Sequence, residues 1–317
     1  RDKSPIDEIL QTKMTNLRTD VVDTQPVIRK KFFGFTNDAE FRFCRIRFKS
    51  EKAMKRAKYI FQPYVKSGVP QRPTFGKKWK IYEANIEPVL RFIHICGIES
   101  TGWVSVPNQF VVKEKETFCD EEFSLPDYTH VKRVEKDGIC PLIMCSFDIE
   151  VYSEDGSFPE PSSSKNYCPV IQIANTYQRY GEKEPYKRDL FTLNHCGPIA
   201  NAQITECVNE KDLLIKWCKS IQKNDPDVLI GYNIWKFDLH FIMQRAIKVH
   251  ATTEINLNRL NSEISVAYKA KFSSSAYGDN EYNMVKSIGR MQIDLLELYK
   301  REHKLVKYSL DFVSEHF

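Results

Sequence analysis

LIMCSFDIEVYSEDG, residues 142–156, reads as an apolar strand that ends in two acids two positions apart, Asp148 and Glu150. Side chains alternate along a strand, so these acids share one face with Cα atoms about 6.6 Å apart, while Phe147 and Ile149 point the other way into a core. Two carboxylates that close repel and titrate as a coupled pair, and a divalent cation relieves the repulsion. The geometry suits two hard cations roughly 3.5 to 4 Å apart, Mg²⁺ or Mn²⁺ rather than zinc. A half-exposed strand with an acidic wet face would carry the same residues, so this stretch decides nothing about chemistry alone.

DVLIGYNIWKFDLHFI, residues 227–242, supplies the rest. Its apolar strand runs out at Gly231 and Tyr232, Asn233 follows, and Asp238 opens an apolar helix within the first turn. A helix N-terminus favours a carboxylate by ~0.3 to 1 kcal/mol, which would by itself explain an acid there. Both acidic sites nevertheless stand at the carboxyl ends of apolar strands, where open α/β sheets gather ligands. Together Asp148, Glu150 and Asp238 predict a three-carboxylate metal site.

The order of elements around these stretches sets the fold class. Three strands, LIMCSFDIEVY, PVIQIANTY and RDLFTL, precede a helix, NEKDLLIKWCKSIQK, in which Asn209 is placed to cap and Asp212 holds the capping-box position. Leu213, Leu214, Trp217, Cys218 and Ile221 make its apolar stripe. The short strand DVLIGY then returns parallel, because a helix has crossed over before it. A meander followed by helix and parallel strand is the ribonuclease H-like order, giving an α/β domain over 139–317. Residues 26–138 read as a small mixed α+β domain, and 1–25 as a polar arm. Within that front domain FRFCRIRFK (41–49) is a strand, and Ser50 caps a helix with Met54, Ala57 and Phe61 on one face. Residues 67–78 form a Gly- and Pro-punctuated loop, IEPVLRFIHICGI is a helix closed by Gly97, and GWVSVP is a strand with Trp103 in the core. Charge-rich residues 114–140 are the expected connection between domains.

Composition narrows the class of protein. The chain has 317 residues, 42% of them hydrophobic, enough for two cores. No apolar run reaches the ~18 to 20 residues of a membrane span, and no signal peptide opens the chain. Nine cysteines without a CxxC pair, three of them (Cys96, Cys145, Cys218) inside apolar runs, imply a reducing compartment and no structural zinc. Residues 1–80 carry 20 Lys and Arg against 8 Asp and Glu, so the front is basic and the remainder nets acidic. A lysine-rich run can be no more than a solvated surface, but a basic front beside an acidic body raises the case for a polyanionic partner, with Lys55 and Arg56 as candidate backbone contacts. An opening Arg and a closing Phe317 inside a helical pattern are what a piece of a longer protein would show.

SFDIEVYSEDGSFPEP with DPDVLIGYNIWKFD resembles the first and second exonuclease motifs of family B DNA polymerases, most closely the polymerase delta branch and the polymerases of large DNA viruses. The similarity extends through IYEANIEPVLRFIHICGI and GW (81–103), PVIQI, SIGRMQIDLLEL (287–298) and KYSLDFVSEHF (307–317), covering most of the chain from about residue 70. The resemblance implies an N-terminal domain followed by a ribonuclease H-like 3′→5′ proofreading exonuclease. In it Asp148 bridges two metal ions, Glu150 serves the ion that activates water, and Asp238 holds the second ion against the phosphate. Asn233 and Phe237 belong to the second motif and position the terminal nucleotide or the ligands. DNA, as a single-stranded 3′ end and template–primer, is the implied partner, with replication accessory proteins and no membrane. The location is the nucleus for a cellular protein, or the nucleus or a cytoplasmic factory for a viral one. The family's third motif, Tyr-x-x-x-Asp, does not occur before Phe317; Asp294 and Asp311 have no tyrosine four residues ahead and read as structural. The exonuclease domain is therefore expected to be incomplete at its C-terminal end. A freestanding ribonuclease H-like exonuclease and a catalytically silent nucleic-acid module are the competing classes.

Overall fold

A computed structural model describes residues 20–32, 34–61, 65–66, 69–70, 80–163, 166–274 and 278–317. Two compact units divide them: one reaches Val104 and takes in Val131–Val134, the other holds Ser105–His130 and Glu135–Phe317. The boundary expected at 138/139 therefore falls earlier, and 105–130 belongs to the second unit rather than to a free connection. Backbone pairing is the reason: Phe118 N donates to Arg259 O and Asn261 N to Glu116 O, each at 2.9 Å.

In the first unit β1 (Val21–Lys30) and β2 (Glu40–Phe48) form an antiparallel ribbon. The strand starts at Val21, inside the span expected to be an arm; residues 1–19 lie outside the described ones. Helix α1 (Glu51–Phe61) begins where Ser50 Oγ accepts the Ala53 N–H at 3.2 Å. It buries Ala53, Ala57 and Phe61 against Val21, Ile46, Phe48 and Ile81. The buried row is thus one i, i+4 ridge, and Met54, expected in it, sits to the side half-buried. Next come β3 (Val65–Lys66), paired with β4 (Val69–Pro70), while most of the loop expected over 67–78 lies outside the described residues. Helix α2 (Pro88–Cys96) has Pro in its first turn and ends at Gly97 in the left-handed region, φ 60°. β5 (Trp103–Ser105) pairs with β6 (Lys132–Val134), and Trp103 is half-buried rather than central.

The second unit is built on one mixed sheet. Its chain order runs β7 (Ile143–Val151), β8 (Val170–Arg179), β9 (Lys187–Leu193), β10 (Gln203–Cys207), helix α3 (Glu210–Asn224), β11 (Val228–Gly231) and helix α4 (Asp238–Lys248). A hairpin, β12 (Ala267–Ser274) and β13 (Gly278–Val285), precedes β14 (Met291–Asp294), α5 (Leu295–Glu302) and α6 (Leu310–His316). The spatial order is β10-β9-β8-β7-β11-β14. β7, β8 and β9 meander antiparallel, while β11 lies parallel to β7 and β14 parallel to β11, as a ribonuclease H-like fold requires. β10, short and half polar, adds a parallel edge strand to β9 that its sequence does not announce.

Helix α3 packs on this sheet through the expected stripe: Leu213, Leu214, Trp217, Cys218 and Ile221 are all fully buried. Asn209 Oδ1 accepts the Asp212 N–H at 2.9 Å, whereas Asp212 returns to Val208 N rather than to the cap residue. Beneath the helix Trp217 donates to Asn175 (3.0 Å), Asn175 to the Tyr177 hydroxyl (3.1 Å), and Ser220 to Asp189 (3.0 Å). Polar groups buried there are thus joined in one network, which fixes the docking of helix on sheet.

At the opposite end of the sheet from the carboxylates, two arginines lock the starts of three strands. Arg290 Nη1 donates to Asp225 (2.6 Å) and Pro226 O (2.7 Å), and Arg259 reaches Asp225 (3.0 Å) and Asp227 (2.7 Å). Asp227 in turn accepts the Ile143 N–H at 2.8 Å, so β7, β11 and β14 start in register.

Gly231 ends β11 against β7. A Cβ there would stand 2.7 Å from Phe147 O and 2.5 Å from Ile234 Cγ2. Backbone cannot give way as a flexible side chain can, so Gly231→Ala is expected to cost about 2 to 3 kcal/mol in urea unfolding. An unchanged midpoint would show that the strands are not this close.

Candidate active site

The pleat of β7 places Phe147 and Ile149 in the core, at 2% and 5% exposure, and leaves Asp148 and Glu150 on the exposed face. Pairing of β7 with β11 stops at Ser146 opposite Ile230, although β7 runs on to Val151. Beyond that point β7 has no strand on its β11 side. The Ile149 N–H donates instead to Asp238 Oδ1 at 3.3 Å. A side chain thus takes over where the neighbouring strand ends, and brings a third acid to the β7 face.

Asp238 reaches this position because the turn before it is held. Asn233 adopts the left-handed region, φ 65°, and its carbonyl accepts from Lys236 N (3.2 Å) and Phe237 N (3.0 Å). Asp294, 2% exposed at the end of β14, accepts the N–H groups of Asn233 (2.8 Å), Trp235 (3.1 Å) and Leu296 (3.0 Å). One buried carboxylate therefore fastens the turn and caps α5. The only sequence signal for this role is an acid at the end of an apolar strand followed by a helix.

Burial, first, and the neighbouring Asp148 carboxylate, second, push Asp238 up from 3.8 to about 7. The acid sits at a helix N-terminus and accepts a backbone N–H, both of which favour its charge, and burial beside another acid still prevails. A hard divalent cation between the two carboxylates would take the place of the proton, and oxygen-only donors suit Mg²⁺ or Mn²⁺. The donor chemistry therefore fits such an ion. Asp148 and Asp238 are brought together; among the described residues no three His, Cys, Asp or Glu side chains converge closely enough to hold one, so Glu150 does not close a triad with them in this conformation. Like charges keep an exposed carboxylate apart from a pair.

Aromatic rings stand beside the pair. Phe237, the residue before α4, lies half-buried with its ring 5.5 Å from buried Phe241 and 5.8 Å from Phe158, which is 78% exposed. Trp235 meets Tyr282 of β13 edge-on at 5.6 Å, and the Tyr232 hydroxyl donates to Tyr308 O at 2.6 Å, so these two serve packing. Asn233 contributes its left-handed backbone to the turn. In the first unit, Lys55 and Arg56 lie on the exposed side of α1, Lys55 paired with Glu51 one turn back.

The family described as DNA polymerase family B, exonuclease domain, matches residues 79–313. The DNA polymerase delta catalytic subunit of Dictyostelium discoideum is 33% identical over 97% of this chain and 28% of its own length. The DNA polymerase of Paramecium bursaria Chlorella virus NY2A is 31% identical over 92% of this chain and 31% of its own, and the Candida albicans delta catalytic subunit 39% over 74% and 22%. The chain thus spans less than a third of these relatives. The family B DNA polymerase of the archaeon Pyrobaculum calidifontis superposes with a TM-score of 0.56 at 20% identity, over 95% of this chain and 32% of that one, a likeness of fold.

The carboxylate pair has a signature in unfolding. Native Asp238 keeps its proton to about pH 7 and the unfolded chain releases it near 3.8, so metal-free stability falls as pH rises between these values. Asp238→Asn stays neutral and escapes that loss. In EDTA the variant should melt above the parent at pH 8 and level with it at pH 4, and parallel pH curves would refute the buried pairing.

Proposed function

This chain belongs to the family B DNA polymerases, and on that premise we propose that it is the N-terminal and 3′→5′ exonuclease portion of a replicative polymerase, removing mismatched 3′-terminal nucleotides. The convergence of Asp148 on β7 with buried Asp238 at the start of α4 carries this reading. In it Asp148, Glu150 and Asp238 would hold two Mg²⁺ or Mn²⁺ ions. Bound ions of this kind lower the pKa of water and stabilise charge on a phosphate under attack, so no nucleophilic side chain is needed.

The chain's own residues do the rest. Asp148 lies on a rigid central strand and Asp238 on a helix held by Asp294, so the ligand positions are fixed before substrate arrives. Phe158 and Phe237 offer an exposed ring backed by a half-buried one, suited to stacking on a frayed terminal base without regard to sequence. Asn233 shapes the turn that aims Phe237 and Asp238. The first unit, up to Val104, forms the N-terminal domain of such a polymerase, and Lys55 and Arg56 contact DNA phosphates. Accessory replication proteins are the further partners, and the site of action is wherever the DNA is copied: the nucleus, or a cytoplasmic factory for a virus. No helix among the described residues is long and apolar enough to cross a membrane.

A silent nucleic-acid module draws support from the open position of Glu150. Excision assays separate the two. In the full-length protein Asp148→Ala should reduce Mg²⁺-dependent removal of a mismatched 3′ nucleotide to background while polymerisation continues; undiminished excision would defeat the assignment. Charge reversal at Lys55 and Arg56 should weaken DNA binding mainly at low salt, lowering the slope of log affinity against log salt by about 0.7 to 0.9 per lost contact. An unchanged slope would return these residues to the solvated surface.

A further inference from the structure

We infer that the buried Glu210–Arg245 ion pair is a positioning device for excision, pinning the loop between β7 and β8 so that Phe158 stays over Phe237 beside the carboxylates. The inference rests on the exonuclease reading above. Residues 152–163 and 166–169 are the described part of this loop, with Phe158 at an exposed point of it. At its base Tyr152 N donates to Pro169 O (3.1 Å), and Glu154 N to Tyr167 O (3.3 Å) and Asn166 Oδ1 (3.1 Å). These bonds close the neck of the loop. Ser153 Oγ and Asn166 Nδ2 donate to Ser157 O (2.7 Å) and Ser157 Oγ (3.2 Å) just before Phe158, and past Phe158 Ser163 N donates to Glu160 O (3.1 Å) and Asn166 N to Ser163 Oγ (3.1 Å). All of these join the loop to itself and none ties it to a helix.

Helix α4 holds it. Arg245 Nη1 donates to Pro161 O at 3.3 Å, and Lys248 Nζ donates to Ser163 O. Arg245 is itself fixed as a fork on Glu210, Nε to Oε1 at 2.8 Å and Nη2 to Oε2 at 2.5 Å, with both side chains no more than 4% exposed. Glu210 Oε1 also accepts the N–H of Val170, the residue at which the loop rejoins the sheet. One ion pair therefore grips the loop at its middle and at its end, and ties both to α3 and α4.

Arg245 lies seven residues after Asp238, two helical turns along the same face and about 10.5 Å down the axis. The helix that carries the acid at its first residue thus carries the loop's fastening near its other end, with Phe241 between them and Phe237, just ahead of the acid, packed between Phe241 and Phe158. Stability alone gives little reason to bury such a pair, since apolar replacement of similar volume is often neutral or better. What the fork supplies and an apolar residue does not is a directed bond to the Pro161 carbonyl.

The test uses the full-length protein, with a primer carrying a mismatched 2-aminopurine at its 3′ end, in single-turnover excision. Phe158→Ala should slow excision about tenfold, the scale of one lost base–aromatic stack. Glu210→Gln with Arg245→Met keeps an acceptor for Val170 and removes the tie to Pro161; it should slow excision to the same degree, shrink the fluorescence gain on binding, and leave the Mg²⁺ midpoint in place. Adding Phe158→Ala to that pair should slow excision no further, because both changes act through the same ring. Arg245→Lys, which keeps the charge and loses the fork, should share the excision defect when assayed well below its own melting point, so a folding failure of the double variant does not decide the matter. Multiplying effects in the combined variant, or parental excision by Arg245→Lys, would overturn the positioning role. Should Asp148→Ala still excise, the exonuclease reading falls instead.

Discussion

The central strand outlasts its parallel neighbour. β11 ends at Gly231 while β7 carries on past its last partnered residue, and the backbone freed on that side is taken up by a carboxylate rather than by another strand. Everything chemical about the second unit follows from this mismatch in length. Had β11 continued, the space beside Asp148 would be filled by a strand and its side chains. Because it stops, a turn and a helix start occupy the space, and an acid can be carried in almost out of contact with water.

Two supports keep the gap open and shaped. Gly231 lets the strands approach to a distance that no side chain would permit. Asp294 collects three N–H groups, two from the half-buried turn and one from the first turn of α5, and so joins the turn to the end of β14. Its charge is spent on holding backbone, whereas that of Asp238, pressed against Asp148, is kept under tension. Two buried acids, one ending a strand and one opening a helix, therefore have opposite roles, set by what faces them.

Much of this was legible in the residues. Alternation fixed which side of β7 is wet, the stripe on α3 gave its buried face residue for residue, and the break after Gly231 marked where Asp238 must begin a helix. Family likeness then joined motifs that spacing alone could not. What was not legible depends on partners distant in the chain. β10 is too short and too polar to declare itself, and residues 105–130 look like a tether until their backbone is seen bonded to the strand-linking segment around Arg259. Asp294, Glu210 and Arg245 read as ordinary charges because a one-dimensional pattern does not reveal that a charge is buried. Glu150 shows the converse: its place on the β7 face was certain from period two, while its approach to the other acids depends on electrostatics that no pattern encodes.

The three acceptances by Asp294 also set an order of events. The turn that aims Asp238 is complete only when β14 has docked beside β11, yet the hairpin and a long stretch of chain separate the two strands. A nascent chain emerging from the ribosome can form the β7–β8–β9 meander from local contacts well before that, and the parallel strand at the edge joins last. The pairing of the carboxylates is thereby deferred until the sheet is finished: a chain interrupted before its last strand would hold a partial sheet but could not yet fasten the turn that carries Asp238 to Asp148.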